Sequence, residues 1–292
     1  MPALRDRALV RVSGQGAGVS DARIAALYCY PLKSARGMEM ATARLTATGL
    51  EHDREWMIVD ARDRFVTQRE QPRLATLQVT LSDDGRLHLR APGQAPLTQE
   101  QAFTGATRRV RIWRDECSAI AAGEAADRWL AGWLGEGHRL VRFDRSRPRL
   151  SSRDWTGGID APNLFSDGYP LLLLSQASLD DLAARAGRRF PVERFRPNIL
   201  LDGVDAYAED RIDELHAGAV RLKVVKPCTR CIITTTDQST GARDGDEPLR
   251  TLRSYRHDAR LQGVLFAQNA VVLDGVGASL HVGQPVHLTL RV

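Results

Sequence analysis

The segment KPCTRCIITTTD, residues 226–237, carries two of the four cysteines, Cys228 and Cys231, at C-x-x-C spacing. Four chemistries can use that spacing. A structural zinc site takes four nitrogen or sulfur ligands, commonly from two such pairs. Here Cys29 and Cys117 stand single and remote, and no histidine is close in sequence. A redox dithiol needs the pair at the opening of a helix, whose N-terminus lowers the thiol pKa. The β-branched run after Cys231 reads as strand instead. Two readings stay open. Composition favours two buried, small, apolar cysteines. The neighbours Arg230, Lys223 and Lys226 favour one reactive or metal-binding thiolate, because cations stabilise the charged sulfur and soft thiolate suits soft metals. A regular strand would turn the two cysteines to opposite faces, one to a pocket and one to packing. Pro227 sets the start of regular structure after itself.

The elements that must hold this segment are mostly strands. The first twenty residues are polar and glycine-rich, and residues 1–21 read as a flexible tail. From ARIAALYCYPLKS to about Val110 short strands alternate with turns. EWMIVDARDRFVTQ reads as strand, turn, strand, and LATLQVTLSDDGRLHLRA as a hairpin about Asp84-Gly85. AGEAADRWLAGWLG predicts a helix with an apolar face of Ala125, Trp129, Leu130 and Trp133, closed by Gly135. Residues 144–162, rich in Arg, Ser, Pro and Gly, read as an exposed connection. Beyond it, YPLLLLS is a buried strand. SLDDLAARAG is a helix with Ser178 as N-cap and Gly187 as its stop. RPNILLDG, AVRLKVVKPCTRC and the glycine-punctuated C-terminus are strand-like. The expected class is α+β, rich in β and barrel-like, with units at 22–145 and 150–292.

Composition narrows the function. The 292 residues carry a net charge of +5, yet only Lys33, Lys223 and Lys226 of the 41 basic residues are lysine. The densest basic stretch, RFDRSRPRLSSR, is broken by Asp144, serine and proline and lacks interleaved aromatics, so an anionic small molecule is favoured over nucleic acid. Arginine in place of lysine points to a GC-rich bacterial genome. The N-terminus shows no signal peptide, the longest apolar run is too short to span a bilayer, and the cysteines form no disulfide framework. A reducing cytoplasm is the expected location.

Six further segments complete a pattern. KPCTRCIITTTDQSTG followed by EPLRTLRSYR resembles the MOSC domain of molybdenum cofactor sulfurases. YPLKSARG, GLEHDREWMIVD, FVTQREQPRL, FSDGYPLLLLSQASLDDL and RFRPNILLDG extend the likeness from about Ile24 to the end. The nearest likeness is to MOSC proteins with an N-terminal β-barrel region, such as the mitochondrial amidoxime-reducing components and bacterial relatives. The resemblance implies a MOSC β-barrel and a molybdopterin-type cofactor whose molybdenum is bound by one protein cysteine. That cysteine matches Cys231, with Cys228 left to packing. Cofactor contacts carry over to Lys33, Ser34, Arg54, Ser166, Asp167, Arg196, Asn198, Thr229 and Arg230. Thr229 stands where close relatives have serine, and Gly168 where mitochondrial ones have a hydroxyl residue. Asp237, the first turn residue after the cysteines, is given a catalytic place near the metal, with plain turn formation as the alternative.

These types suit an anionic pterin: arginine binds phosphate bidentately and lysine as a point charge. Without the resemblance, Arg54 and Arg196 could be ordinary ion pairs with Asp53 and Glu193. The implied activity is a molybdenum-dependent oxidoreductase reducing hydroxylamines and amidoximes. No iron–sulfur cysteine cluster follows Cys231, so a separate ferredoxin or flavoprotein donor is expected. The rival expectation is a carrier or sulfur-transfer protein that binds the same cofactor without turnover.

Overall fold

The computed structural model describes residues 21–291; the expected N-terminal tail lies outside the described residues, apart from Asp21. Its largest element is a nine-stranded sheet. In spatial order it runs Met38–Met40, Arg23–Cys29, Ile199–Asp202, Leu171–Ser175, Gly263–Asp274, Val220–Arg230, Ile212–Ala217 and His287–Leu290, with His257–Asp258 added beside Gly263–Asp274. A bridge between Arg23 and Pro285, flanked by backbone bonds from Ile24 to Gln284 and from Val286 to Ala22, joins the start of the strand Arg23–Cys29 to the approach of His287–Leu290 and closes the sheet on itself. Closure removes the open edges that a sheet must otherwise protect. One pairing in the sheet is parallel, between Leu171–Ser175 and Ile199–Asp202, and the helix Gln176–Ala186 makes its crossover.

The run of four leucines in this sheet has a simple cause. Leu171 and Leu173 point into the barrel with Ile24, Leu27, Ile199, Leu222 and Val224. Leu172 and Leu174 point outward and are covered by Leu179, Leu182, Leu252 and Phe266. A strand buried on both faces needs no polar alternation. The helix above it starts one turn earlier than the sequence signals. Ser175 is the N-cap and accepts from Ser178 N, while the Ser178 hydroxyl donates to the buried Glu209. Gly187 ends this helix in the left-handed conformation.

A second set of strands lies between residues 56 and 143. Trp56–Val59, Arg139–Phe143, Asp115–Ala121 and Thr107–Ile112 form a four-stranded sheet, and Gln78–Leu81, Arg86–Arg90 and Leu97–Glu100 a three-stranded one. The Asp84-Gly85 hairpin falls where the sequence puts it. The helix Glu124–Leu134 packs through Ala126, Leu130, Trp133 and Leu134; Ala125 is exposed and Trp129 half-buried, so the apolar stripe is rotated from the expected one. Strand pairing also crosses the expected division between units. Residues 22–50 belong to the large sheet and its flank, where Thr42–Thr46 pairs with Ser279–His281.

The segment 144–162 is largely exposed, as expected of a connection, but it is anchored at a buried residue. Arg149 within it is buried and gathers one loop around itself. Its Nη1 donates to Asn163 Oδ1 (2.6 Å), Leu164 O (2.9 Å) and Ser166 O (2.7 Å), and its Nη2 to Asp167 O (3.2 Å) and Asp115 Oδ2 (2.7 Å). Five donors in a rigid fork fit such a set of acceptors, which an ammonium could not match. Nearby, the fully buried Glu55 carboxylate takes Arg142 (2.6 Å), Arg145 (3.1 Å) and His52 (2.9 Å). Burial works against its charge, but those partners win and hold its pKa down at about 2.

Glu55 therefore contributes stability that is present above its ordinary pKa and lost as pH falls through about 2. Replacing Glu55 by Gln leaves two partly exposed guanidiniums without their carboxylate, which should cost about 2 kcal/mol at neutral pH. Denaturant titrations should show that difference shrinking once the pH drops below about 4. A pH-independent difference would contradict the assignment.

Candidate cofactor site

One cavity opens where the large sheet meets the loops of the second unit. Lys33, Ser34, Arg54, Ser166, Asp167, Arg196, Asn198, Cys228, Thr229, Arg230 and Cys231 all line it. Ten of these eleven are the sequence-assigned cofactor contacts; the eleventh is Cys228. Asp237 is not among the lining residues. Its Oδ1 accepts from Ser239 N (2.8 Å), Ser239 Oγ (2.5 Å) and Thr240 N (3.0 Å), and these bonds, the Ser239 hydroxyl first, pull its pKa to about 2. The turn-forming alternative describes its geometry, and a catalytic place does not.

The backbone is bent to aim these groups. Ser34, Arg54 and Arg196 have φ of 66°, 49° and 58°, left-handed values that a residue with a Cβ adopts only under constraint. The constraints are visible. Arg54 N bonds to Tyr30 O, Lys33 N to Trp56 O, and Phe165 N to Arg54 O. Asn198 ties three elements: its Nδ2 donates to Tyr28 O (3.1 Å), and its Oδ1 accepts from Leu172 N (3.2 Å) and Arg54 Nη1 (3.1 Å). Both Arg54 and Arg196 lie against the Tyr30 ring, 4.3 and 4.2 Å from its centroid. Gly37 leaves room for that ring; a Cβ there would stand 2.3 Å from Tyr30 Cε1.

The cysteine segment itself is not strand throughout. Val220–Arg230 is strand, interrupted by register shifts on either side of Pro227. Cys231 then caps a 3-10 turn, Ile232–Thr235. The β-branched run folds this way because Thr234 and Thr235 return their hydroxyls to Cys231 O (3.0 Å) and Ile232 O (2.8 Å), the local alternative that threonine offers to a ladder. Arg243 staples the turn. It donates to Ile232 O (2.8 Å), Thr236 Oγ1 (2.7 Å), Gln68 O (2.7 Å) and Arg69 O (3.1 Å), joining the cysteine turn to a loop of the second unit. Cys228 packs at the edge of a core cluster with Phe195 and Phe266, and both sulfurs also border the cavity. Arg230 Nη1 donates to Cys228 Sγ (2.9 Å), whereas Cys231 Sγ takes Arg69 Nη2 (3.2 Å). The sequence neighbour thus serves the other cysteine.

Charge in this cavity is not balanced. Lys33 Nζ meets Asp167 Oδ1 at 2.6 Å and Phe165 O at 2.8 Å. Burial lowers the Lys33 pKa, and Asp167 works against that; the Asp167 carboxyl, itself exposed on one side, is held well below its usual range by Lys33 and Arg69. Arg54 is paired with Asp53 at 2.5 Å, as an ordinary ion pair would be. Arg196 is not paired with Glu193. Among the described residues Arg69, Arg196 and Arg230 meet no carboxylate within 4 Å, and each keeps one buried N–H with no acceptor: Arg69 Nη1, Arg196 Nη2 and Arg230 Nε. Burial, then the like charge of Arg54, brings the Arg196 pKa down to about 10. The three guanidiniums are half-buried, and a cation partly removed from water without a counter-charge gains from an arriving anion. Cavity lining and orphaned donors together make a cationic pocket beside two thiols.

Fold and pocket place the chain among two-part MOSC proteins, and comparison with known proteins agrees. The MOSC N-terminal beta barrel domain matches residues 21–137 and the MOSC domain residues 160–287. The chain belongs to this family. It is 36% identical to human mitochondrial amidoxime-reducing component 1, over 91% of this chain and 82% of that protein. It is 34% identical to human mitochondrial amidoxime reducing component 2, over 90% and 82%. The component 1 of Xenopus laevis is 32% identical over 92% and 82%.

Arg69 and Thr67, from FVTQREQPRL, also line the cavity, as do Tyr169 and Asn269 on the barrel side. Nothing local marks Arg69 as a partner for a sulfur 162 residues away.

An anion pocket with orphaned donors should respond to a simple anion. Inorganic phosphate at about a hundred times its dissociation constant should stabilise the cofactor-free protein by roughly 2.7 kcal/mol. Thermal unfolding with Arg196→Gln should lose most of that response. An equal response in both proteins would remove Arg196 from the anion site.

Proposed function

We propose that this chain binds a molybdenum–pterin cofactor through the cavity and uses it to reduce N-hydroxylated compounds, hydroxylamines and amidoximes, to amines and amidines. The observation that carries this reading is the surplus of half-buried guanidinium charge, without carboxylate partners, around two cysteines. A pterin that ends in a phosphate or nucleotide diphosphate supplies the missing anion, so the residues present fit that group. Among the described residues no set of three or more His, Cys, Asp or Glu converges on one point. A metal held by Cys231 would take further ligands from the dithiolene of the pterin, as the family likeness implies. The names of the relatives, amidoxime-reducing components, point to the substrate class.

The cofactor, when bound, supplies the two-electron exchange with an N–O oxygen; with two protons the oxygen leaves as water. The chain contributes binding, orientation and exclusion of water. Lys33, Arg54, Arg196 and Arg230 hold negative charge at fixed positions, with Ser34, Ser166, Asp167, Asn198 and Thr229 as the polar wall. Of these, Ser166 Oγ is committed to Asn163 Oδ1 at 3.2 Å, so its part is to shape the loop. Asn198 is likewise spent on strand ties, and it orients Arg54. Cys231 offers the sulfur. The electrons come from a separate ferredoxin or flavoprotein.

The test begins with metal. Protein from a molybdenum-sufficient host should carry close to one equivalent. Cys231→Ala should hold less than about a tenth of that, and Cys228→Ser should stay near wild type, since removing a ligand costs far more than changing a neighbour. Equal loss in both variants would overturn the division of the pair. Loaded protein given an artificial reductant should consume an amidoxime. Full loading with no turnover on any N-hydroxylated compound would instead favour a cofactor carrier.

A further inference from the structure

We propose that Arg69 is a positioning residue that sets how strongly the Cys231 sulfur donates electrons, acting on the metal through its ligand. This rests on the reading of Cys231 as the metal ligand. Arg69 comes from the second unit, not from the barrel that carries both cysteines, and its Nη2 stands 3.2 Å from Cys231 Sγ. Two contacts fix it there. Its backbone carbonyl accepts from Arg243 Nη2 at 3.1 Å. Its guanidinium lies over the Trp113 ring, 4.4 Å from the centroid.

Trp113 is the first residue of the two-residue turn that joins the strands Thr107–Ile112 and Asp115–Ala121, and its φ of 54° is the left-handed value such a hairpin turn asks for. It is 46% exposed. The turn brings the indole into three contacts. The indole meets Phe65 edge-on at 5.0 Å, donates from Nε1 to Asp167 Oδ1 at 3.3 Å, and carries Arg69 on its ring.

The charge delivered this way is offset only in part, by Asp167 beyond ion-pair distance. Arg69 pairs with no carboxylate among the described residues, and its Nη1 has no acceptor. Arg230, the guanidinium next to Cys231 in sequence, is bonded to Cys228 instead. The two sulfurs therefore draw on different halves of the molecule. A donor to a ligating sulfur withdraws density from the metal and favours its reduced state, which raises the reduction potential. The packing of the second unit against the barrel thereby enters the redox chemistry.

The experiment compares wild type, Arg69→Gln, Arg69→Lys and Trp113→Ala, each loaded with molybdenum. Metal content is measured first. A redox titration followed by paramagnetic resonance then gives the potential. Arg69→Gln should retain its metal and titrate at a more negative potential. Arg69→Lys should fall between, since it keeps the charge and loses the fork. Trp113→Ala, which frees Arg69 without removing it, should shift the same way by less. A retained metal at unchanged potential in Arg69→Gln overturns the proposal, as does metal loss equal to that of Cys231→Ala. If Arg69→Gln fails to fold, Trp113→Ala decides, and an unchanged potential there is equally fatal. A wild-type protein without molybdenum would instead overturn the proposed function, and it is read before any variant.

Discussion

The constraint on which the site depends is half-buried positive charge that the protein's carboxylates do not neutralise. Taking an unpaired ion partly out of water costs stability, of which a domain has only about 5–15 kcal/mol in hand. Lys33 and Arg54 have carboxylates; Arg69, Arg196 and Arg230 have none within reach. Left free, those side chains would swing to solvent. They stay because their surroundings leave them little choice: Arg196 donates to Ala35 O at 2.6 Å and rests on Tyr30, and Arg230 donates to Phe195 O at 2.7 Å. Carbonyls and aromatic faces can hold a cation without cancelling it, and so leave it ready for an anion.

That arrangement explains why strain collects at the same place. Left-handed backbone at Ser34, Arg54 and Arg196 turns side chains inward from chain positions that would otherwise continue a strand or turn outward. The rigidity comes from groups that never reach the ligand. Arg149 draws the 163–167 carbonyls onto one guanidinium, Asn198 ties Tyr28 to Leu172, and Arg243 joins the cysteine turn to Gln68 and Arg69. Each is an arginine or amide with several acceptors at fixed angles, the kind of group whose loss leaves many partners unsatisfied at once. Functional side chains here are few, and the positioning ones carry most of the geometry.

What could be read in the sequence follows from how local each signal is. The hairpin about Asp84-Gly85, the Gly187 helix stop and the leucine strand depend on neighbours only, and they stand as expected. Errors arise where a distant partner decides. Ser178 looks like an N-cap until Glu209 claims its hydroxyl, and Ser175 takes the role. The basic stretch around Arg149 looks solvated until Asp115 and the 163–167 loop converge on it. IITTT has strand propensity, but threonine back-bonding and Arg243 turn it into a 3-10 turn. The candidate set Lys33, Arg54, Arg196 and Cys231 was legible through family resemblance. Arg69, Trp113 and Arg243 were not, because their meaning lies in contacts with distant segments.

The C-x-x-C spacing, ambiguous by itself, gains its meaning from the break between its two halves. Cys228 lies in a strand and borders a core cluster, so its sulfur is fixed by packing. Cys231 lies one residue past the strand's end, where the chain turns and the cavity begins. A dithiol couple would need both sulfurs in one environment, close enough to exchange. Instead each sulfur has its own guanidinium, drawn from a different part of the fold. A pair so divided is suited to two separate tasks.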